Sequence, residues 1–151
     1  LTTKDLIEAK RKLDLLKVPK QGRRLVLCSD HVADLLLQDQ KFANQFYNYT
    51  TGKIANLYGF EVYEYGSNPI YSTSGAKKSF GAVAGTGEFE ASVIFYVKNM
   101  FKAKGDTTMY YSEAKNDPQN QRNLINFRHY FVALPKVARG TCAIMSAYQA
   151  G

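Results

Sequence analysis

The sequence is short of the patterns that usually announce a chemical function. Two cysteines in 151 residues exclude a disulfide framework. Each of them, Cys28 and Cys142, sits in an apolar run as a buried free thiol does, with a single bridge between them as the alternative. A reducing compartment is the corresponding expectation. No apolar run approaches the roughly 18 residues that would span a bilayer. No charged-apolar-small signal pattern opens the chain. The chain starts at Leu1 rather than Met, which reads as an internal or processed start.

Catalytic and ligand-binding constellations are equally scarce. Cys28-Ser29-Asp30-His31 packs a thiol, a hydroxyl, a carboxylate and an imidazole into four residues. Members of a catalytic triad converge from separate elements, however, and Ser29 or Asp30 is already explained as a helix cap. Zinc would need Cys28, His31, His129 and Cys142, whose spacing fits no finger or ribbon, so a satisfied core histidine is the plainer reading. "SGAKKS" lacks the first glycine of a Walker loop. "GAVAGTGEFE" lacks the third glycine of a dinucleotide turn and does not join a strand to a helix. Glu61 and Glu64 fall on opposite faces of one strand, and Glu88 and Glu90 share a face without a convergent partner, so acid/base hydrolysis is unsupported. No catalysis, no cofactor and no small-molecule substrate are expected.

What the chain does have is a globular composition, 45% hydrophobic and 22% charged, of a size for one domain or two small lobes. Its net charge of +7 and twenty aromatic residues, eleven Tyr and nine Phe, suit a nucleic-acid partner. The bland alternative is a solvated basic surface, because the lysines and arginines are scattered. "YGFEVYEY" is similar to the aromatic strand of RNA-recognition domains, but Tyr58 stands where a basic residue pairs phosphate and Glu61 where a small residue belongs. Glu61 and Glu64 would repel a bound backbone.

The coarse pattern predicts an α+β chain with a mixed or antiparallel sheet. "LTTKDLIEAKRKLDLLK" reads as a helix with a Thr2/Asp5 capping box and an apolar stripe of Leu6, Ile7, Leu13 and Leu16. "RRLVLC" reads as a strand. A second helix follows, capped by Ser29 or Asp30, with Val32, Leu35 and Leu36 inward. "FEVYEY", "ASVIFYV", "TTMYYSE", "NFRHYFVAL" and "TCAIMSA" read as strands. "KNMFKAK" reads as one helical turn stopped at Gly105, and residues 66–87 as exposed loop with one short strand. Asp117-Pro118 is placed to begin a turn into the two-faced strand.

Several blocks, in order, resemble the C-terminal half of the major capsid protein of tailed double-stranded DNA bacteriophages, the Hong Kong 97-type fold. "LTTKDLIEAKRKLDLLKVPKQGRRLVLCSDHVADLL" is similar to the family's long helix, turn, strand and short helix, with Ser29 where proline is frequent. "GKIANLYGFEVYEYGSNPIY" is similar to its G-x-I-x-x-x-x-G-F-x-V-Y segment. "KKSFGAVAGTGEFEASVIFYVKNMF" resembles its A-F-G loop and following strand. "NDPQNQRNLINFRHYF" is similar to its D-P-x-x-x-R-x-x-x-x-F-R-H-Y-F strand leading to L-P-K. The resemblance implies one α+β unit over residues 1–151, with 1–38 and 127–147 peripheral-domain-like and 39–126 axial-domain-like, lacking the N-terminal arm and extended loop. It implies a structural subunit of a phage or prophage shell, made in a bacterial cytoplasm and destined for the virion. Its partners would be copies of itself and, through non-specific charge, packaged DNA, with no membrane. Arg23, Asn120, Arg122 and Arg128 are the candidate subunit-interface residues, since arginine forks match carboxylates across polar interfaces. The alternative for Arg128 in particular is a pair within its own chain.

Overall fold

The computed structural model describes residues 1–46, 53–116 and 119–145. The chain divides into two compact units, Leu1–Asn99 with Val137–Gly151, and Met100–Lys136.

In the first unit, α1 spans Thr3–Leu15. The Thr2 hydroxyl accepts from the Asp5 N–H at 3.3 Å and the Asp5 carboxylate accepts from the Thr2 N–H at 2.8 Å, closing the capping box. The buried stripe is Leu6, Ala9 and Leu13, at i, i+3 and i+7. Burying each leucine is worth about 1.5–3 kcal/mol. Ile7 and Leu16, expected on that stripe, are half exposed. Ile7 is turned about 100° from Leu6 around the axis, and Leu16 lies beyond the last helical residue. A Schellman turn ends α1: Val18 N–H donates to Leu13 O at 3.1 Å and Lys17 N–H to Asp14 O at 3.0 Å. Lys17 takes the left-handed position there, at φ 53°.

The strands of this unit are β1 (Arg23–Leu27), β2 (Lys53–Leu57), β3 (Phe60–Glu64), β4 (Ile70–Tyr71), β5 (Phe89–Glu90), β6 (Ser92–Tyr96) and, after the second unit, β9 (Thr141–Ile144). Five of them form one mixed sheet in the order β2-β3-β1-β6-β9. β1 and β3 are parallel, and every other neighbouring pair is antiparallel. β4 and β5 make a separate small pair. The parallel pair requires a crossover, and α2 (Ser29–Gln38) and α3 (Gln40–Phe46) lie within it.

Alternation decides which face is covered. Arg23, Leu25 and Leu27 of β1 and Ser92, Ile94 and Tyr96 of β6 are buried, while the residues between them are half-buried. Leu6, Leu13, Val32, Leu35 and Phe42 from the helices join Leu25, Phe60, Val62 and Ile94 in one core cluster. On the opposite face Arg24 pairs with Glu61 at 3.2 Å and lies over the Tyr63 ring.

Two local expectations change. The cap of α2 is Cys28 rather than Ser29 or Asp30, and no side chain caps it. β1 runs directly into the helix: the Cys28 carbonyl takes the first helical bond from Val32, and the Cys28 N–H is held by the Ser92 hydroxyl. Ser29 and Asp30 therefore stand in the first turn, where Asp30 suits the helix dipole. α3, which the tyrosine-rich sequence does not announce, is capped by Asp39, whose carboxylate accepts from the Lys41 and Phe42 N–H groups. The β2–β3 turn is Tyr58-Gly59, both at positive φ as a type I′ hairpin needs.

The second unit is a two-stranded antiparallel ribbon, β7 (Met100–Ser112) with β8 (Leu124–Pro135). "KNMFKAK" is thus not a helical turn. Only Val97–Asn99 forms a 3-10 turn, and the strand begins at Met100. Gly105 does not stop an element: with Asp106 it stands in a bulge opposite Tyr130, between the Lys104–Phe131 and Thr107–His129 pairs. A Cβ on Gly105 would lie 2.9 Å from the Tyr130 Cβ, so the position needs glycine. Asp117 and Pro118, expected to open the turn between β7 and β8, lie outside the described residues.

Candidate interaction surfaces

Among the described residues, a cluster of potentially reactive groups forms a core knot. The Ser92 hydroxyl lies 2.6 Å from His31 Nδ1, receives the Cys28 N–H at 3.2 Å and contacts Cys28 Sγ at 3.7 Å. The Cys28 thiol also reaches Glu90 O at 3.6 Å. All three residues are at most 1% exposed. Burial pushes the His31 pKa below its ordinary value, the nearby carboxylates Asp34, Asp30 and Asp5 pulling the other way. The arrangement ties α2 to β6, and His31 also lines the groove described below. Ser92 was missed by sequence reasoning, although it is the one polar residue at the inward positions of "SVIFY".

The remaining chemical candidates are dispersed. Both cysteines are free, and Cys142, expected inside, is exposed because β9 is an edge strand. The groove walls around it nevertheless push its thiol pKa up, with Lys12 opposing. His129, expected in a core, is exposed on the ribbon and bonds the Thr107 hydroxyl at 2.7 Å. Among the described residues no group of three or more His, Cys, Asp or Glu is placed to hold a metal ion, and no helix is long and apolar enough to cross a membrane. Glu88 is committed to its own loop, bonded by Lys78 at 2.6 Å and by the Gly85 N–H at 2.7 Å. That closure leaves Phe80 and Val83 almost fully exposed at the loop tip.

Of the candidate interface residues, Arg23 is turned inward and 2% exposed. Its Nη2 donates to Asp14 Oδ1 at 2.7 Å and Val18 O at 2.5 Å, and its Nε to Pro19 O at 3.0 Å. It locks the end of α1 to the start of β1. Arg128 is exposed on β8 with its guanidinium over the Tyr110 ring at 5.6 Å. Asn120 and Arg122 are exposed in the segment leading into β8.

Two surfaces stand out. The first is the ribbon, whose register assigns side chains to faces, since directly paired residues share one. One face carries Lys102, Lys104, Thr107, Met109 and Tyr111 beside Ile125, Phe127, His129, Phe131 and Ala133. The other carries Phe101, Ala103, Thr108 and Tyr110 beside Asn126, Arg128, Tyr130, Val132 and Leu134. Every residue of β8 is exposed, Phe127 and Tyr130 by more than 60%. Three cations lie over ribbon aromatics: Lys102 on Phe131, Arg128 on Tyr110 and Lys136 on Phe101. An isolated two-stranded ribbon is marginal in water, and large apolar side chains on both faces mark an interaction element.

The second is a groove of about 910 Å³ in the first unit, between α1 and β9. Ala9, Leu13 and Leu16 form its apolar wall, Cys142 and Ile144 face it from β9, and Asp5, Glu8 and Asp34 edge it with Lys12. The Thr2 side-chain and backbone hydrogen bonds hold Asp5 below the usual carboxylate range, so it stays ionised at neutral pH. The chain's amino group at Leu1 donates to Asp34 at 2.5 Å. No protein-family model matches this chain, and no curated protein matches it.

Proposed function

We propose that this chain is a structural subunit of a tailed-phage or prophage capsid, assembling with copies of itself around packaged DNA and performing no catalysis. The observation that carries the reading is the ribbon Met100–Lys136, whose apolar side chains are exposed on both faces of only two strands. The ordered blocks resembling the Hong Kong 97-type capsid fold agree with it, as does the α+β architecture. On this reading the ribbon and the polar segment carrying Asn120 and Arg122 hold neighbours, and Arg23 serves the fold of its own subunit. The protein is made in the bacterial cytoplasm and ends in the virion. Electron microscopy of the product expressed in bacteria is the test. Regular capsomers or shells are expected, and a protein that stays monomeric at high concentration overturns the reading.

A second reading, a nucleic-acid-binding module, is favoured by the three lysine and arginine side chains lying over ribbon aromatics. It predicts salt-sensitive binding of short single strands, and a titration without binding at low salt ends it.

A further inference from the structure

The free edge of β9 is a half-made sheet. Tyr96 N–H donates to Gly140 O at 3.0 Å, which fixes the phase of the β6–β9 ladder. Antiparallel pairs alternate between bonded and non-bonded. Ile94–Cys142 and Ser92–Ile144 are therefore the bonded pairs, and Thr141 and Ala143 turn their backbone groups away from β6. The Thr141 N–H is used by Ala138 O, which, among the described residues, leaves the Thr141 carbonyl and both backbone groups of Ala143 on an open edge. Cys142 and Ile144 share the helix-facing side with Ile94 and Ser92, and the groove runs along that side. An extended strand seated there would gain main-chain bonds from β9 and apolar contact from Ala9, Leu13 and Leu16.

The charge around the groove indicates which strand. In a chain of net charge +7, the groove is edged by more carboxylates than cations: Asp5, Glu8 and Asp34 stand against Lys12 and the Leu1 amino group that Asp34 holds, and Asp30 lies near enough to act on His31 alongside Asp5 and Asp34. The ribbon is its complement. It presents Lys102 and Lys104 on one face of β7, paired across the ladder with Ala133 and Phe131 rather than with carboxylates. Its own edges are open among the described residues, where its sheet has only two strands. The stretch Met100–Lys104 spans about 17 Å, enough to match the four residues of β9.

We propose that the groove between α1 and β9 receives the ribbon of a second copy of this chain, with β7 added to the free edge of β9 and Lys102 and Lys104 directed at Glu8 and Asp34. This inference rests on the self-assembly reading above and specifies its contact. Groove and ribbon are different surfaces, so in one contact one copy keeps its ribbon unused and the other keeps its groove. Such a head-to-tail interface closes into a ring or continues as an open array. A nucleic-acid occupant of the groove is disfavoured by the same carboxylates.

Charge reversal tests it. Glu8→Lys with Asp34→Lys makes one variant, Lys102→Glu with Lys104→Glu the other, and circular dichroism checks that each is folded. Sedimentation velocity should show self-association of each variant weakened about tenfold or more at low salt, because like charges face one another across the contact. An equimolar mixture should restore association, since each reversed surface then meets its opposite. A chain carrying Lys102→Cys should also form intermolecular disulfides with Cys142 on mild oxidation, and the parent chain should not. Association of the parent that survives both reversals, or a mixture that fails to restore it, overturns the docking and leaves the assembly reading standing. A parent chain that never associates overturns both. Loss of single-stranded DNA binding in Lys102→Glu/Lys104→Glu, with self-association unchanged, assigns the lysines to nucleic acid and overturns the docking.

Discussion

Replacing Arg23 by methionine tests whether the first unit depends on one buried cation. Methionine keeps an apolar stem of similar length and removes three hydrogen bonds, to Asp14, Val18 and Pro19. The largest loss is at the Val18 carbonyl, where the bond is buried and no water can replace the donor. A buried acceptor left without its charged donor costs about 1–3 kcal/mol, and the part-buried bonds to Pro19 and Asp14 add less. Relief of the desolvated guanidinium offsets part of this, and Asp14, one-third exposed, is not stranded as a buried charge. The net expectation is a loss of about 2–3 kcal/mol, or roughly 5–10 °C in Tm for a chain of this size. Thermal and urea unfolding followed by far-ultraviolet circular dichroism measure it, the chain having no tryptophan. Arg23→Lys should recover only part of the loss, because an ammonium cannot copy the planar fork. The pH profile adds a second readout. The Arg23 hydrogen bond, followed by that of Lys10, holds the Asp14 carboxyl below its ordinary value of 3.8. A depressed carboxyl stabilises the fold above the unfolded value, and that contribution disappears as pH falls through the folded one. The parent should therefore lose this contribution below about pH 4, and Arg23→Met should flatten that part of the curve. An Arg23→Met protein within about 0.5 kcal/mol of the parent, or equal to Arg23→Lys, would refute the reasoning.

Three other outcomes follow from the geometry. Lys17→Gly should stabilise the chain by about 1 kcal/mol, since Lys17 holds the left-handed position of the Schellman turn at φ 53°, and an unchanged or lower Tm would contradict this. His31 is held neutral by burial, so stability should be full above its ordinary pKa of 6.5 and fall as the pH drops below it. His31→Gln should remove that slope in urea titrations between pH 7 and 5, whatever it does to absolute stability. Gly105→Ala should force the bulge to shift, because the new Cβ meets the Tyr130 Cβ at 2.9 Å. Faster amide exchange or proteolysis within residues 100–136, with the first unit unaffected, is the expected signature, and an unaltered exchange pattern would show that the ribbon absorbs the methyl group.

Different parts of the molecule were legible to different degrees. The capping box was readable because it is local, two side chains and their own backbone within one turn. The strands were found because the alternation of "RRLVL" and "FEVYE" survives in their burial. "KNMFKAK" misled because a seven-residue window of mixed polarity has no period of its own, and its Met100–Lys104 became strand only through five pairings with residues of β8 about 30 positions along the chain. Arg23 was chosen as an outward-facing residue because arginine usually is. The inward parity of its strand and the carbonyls at the end of α1 placed it inside.

The sequence by itself determined the α+β class, the first helix with its cap, the identity of most strands and the scarcity of catalytic motifs. These follow from local propensity and from the period of apolar residues, which each segment carries within itself. Tertiary structure alone decided that β1 and β3 run parallel, that Ser92 joins Cys28 and His31, and that β9 ends the sheet with an open edge beside a groove. It also decided that the most aromatic strand lies in an exposed ribbon rather than a core. Alternation shows that a strand has two faces; only its neighbours in space determine whether either face is covered.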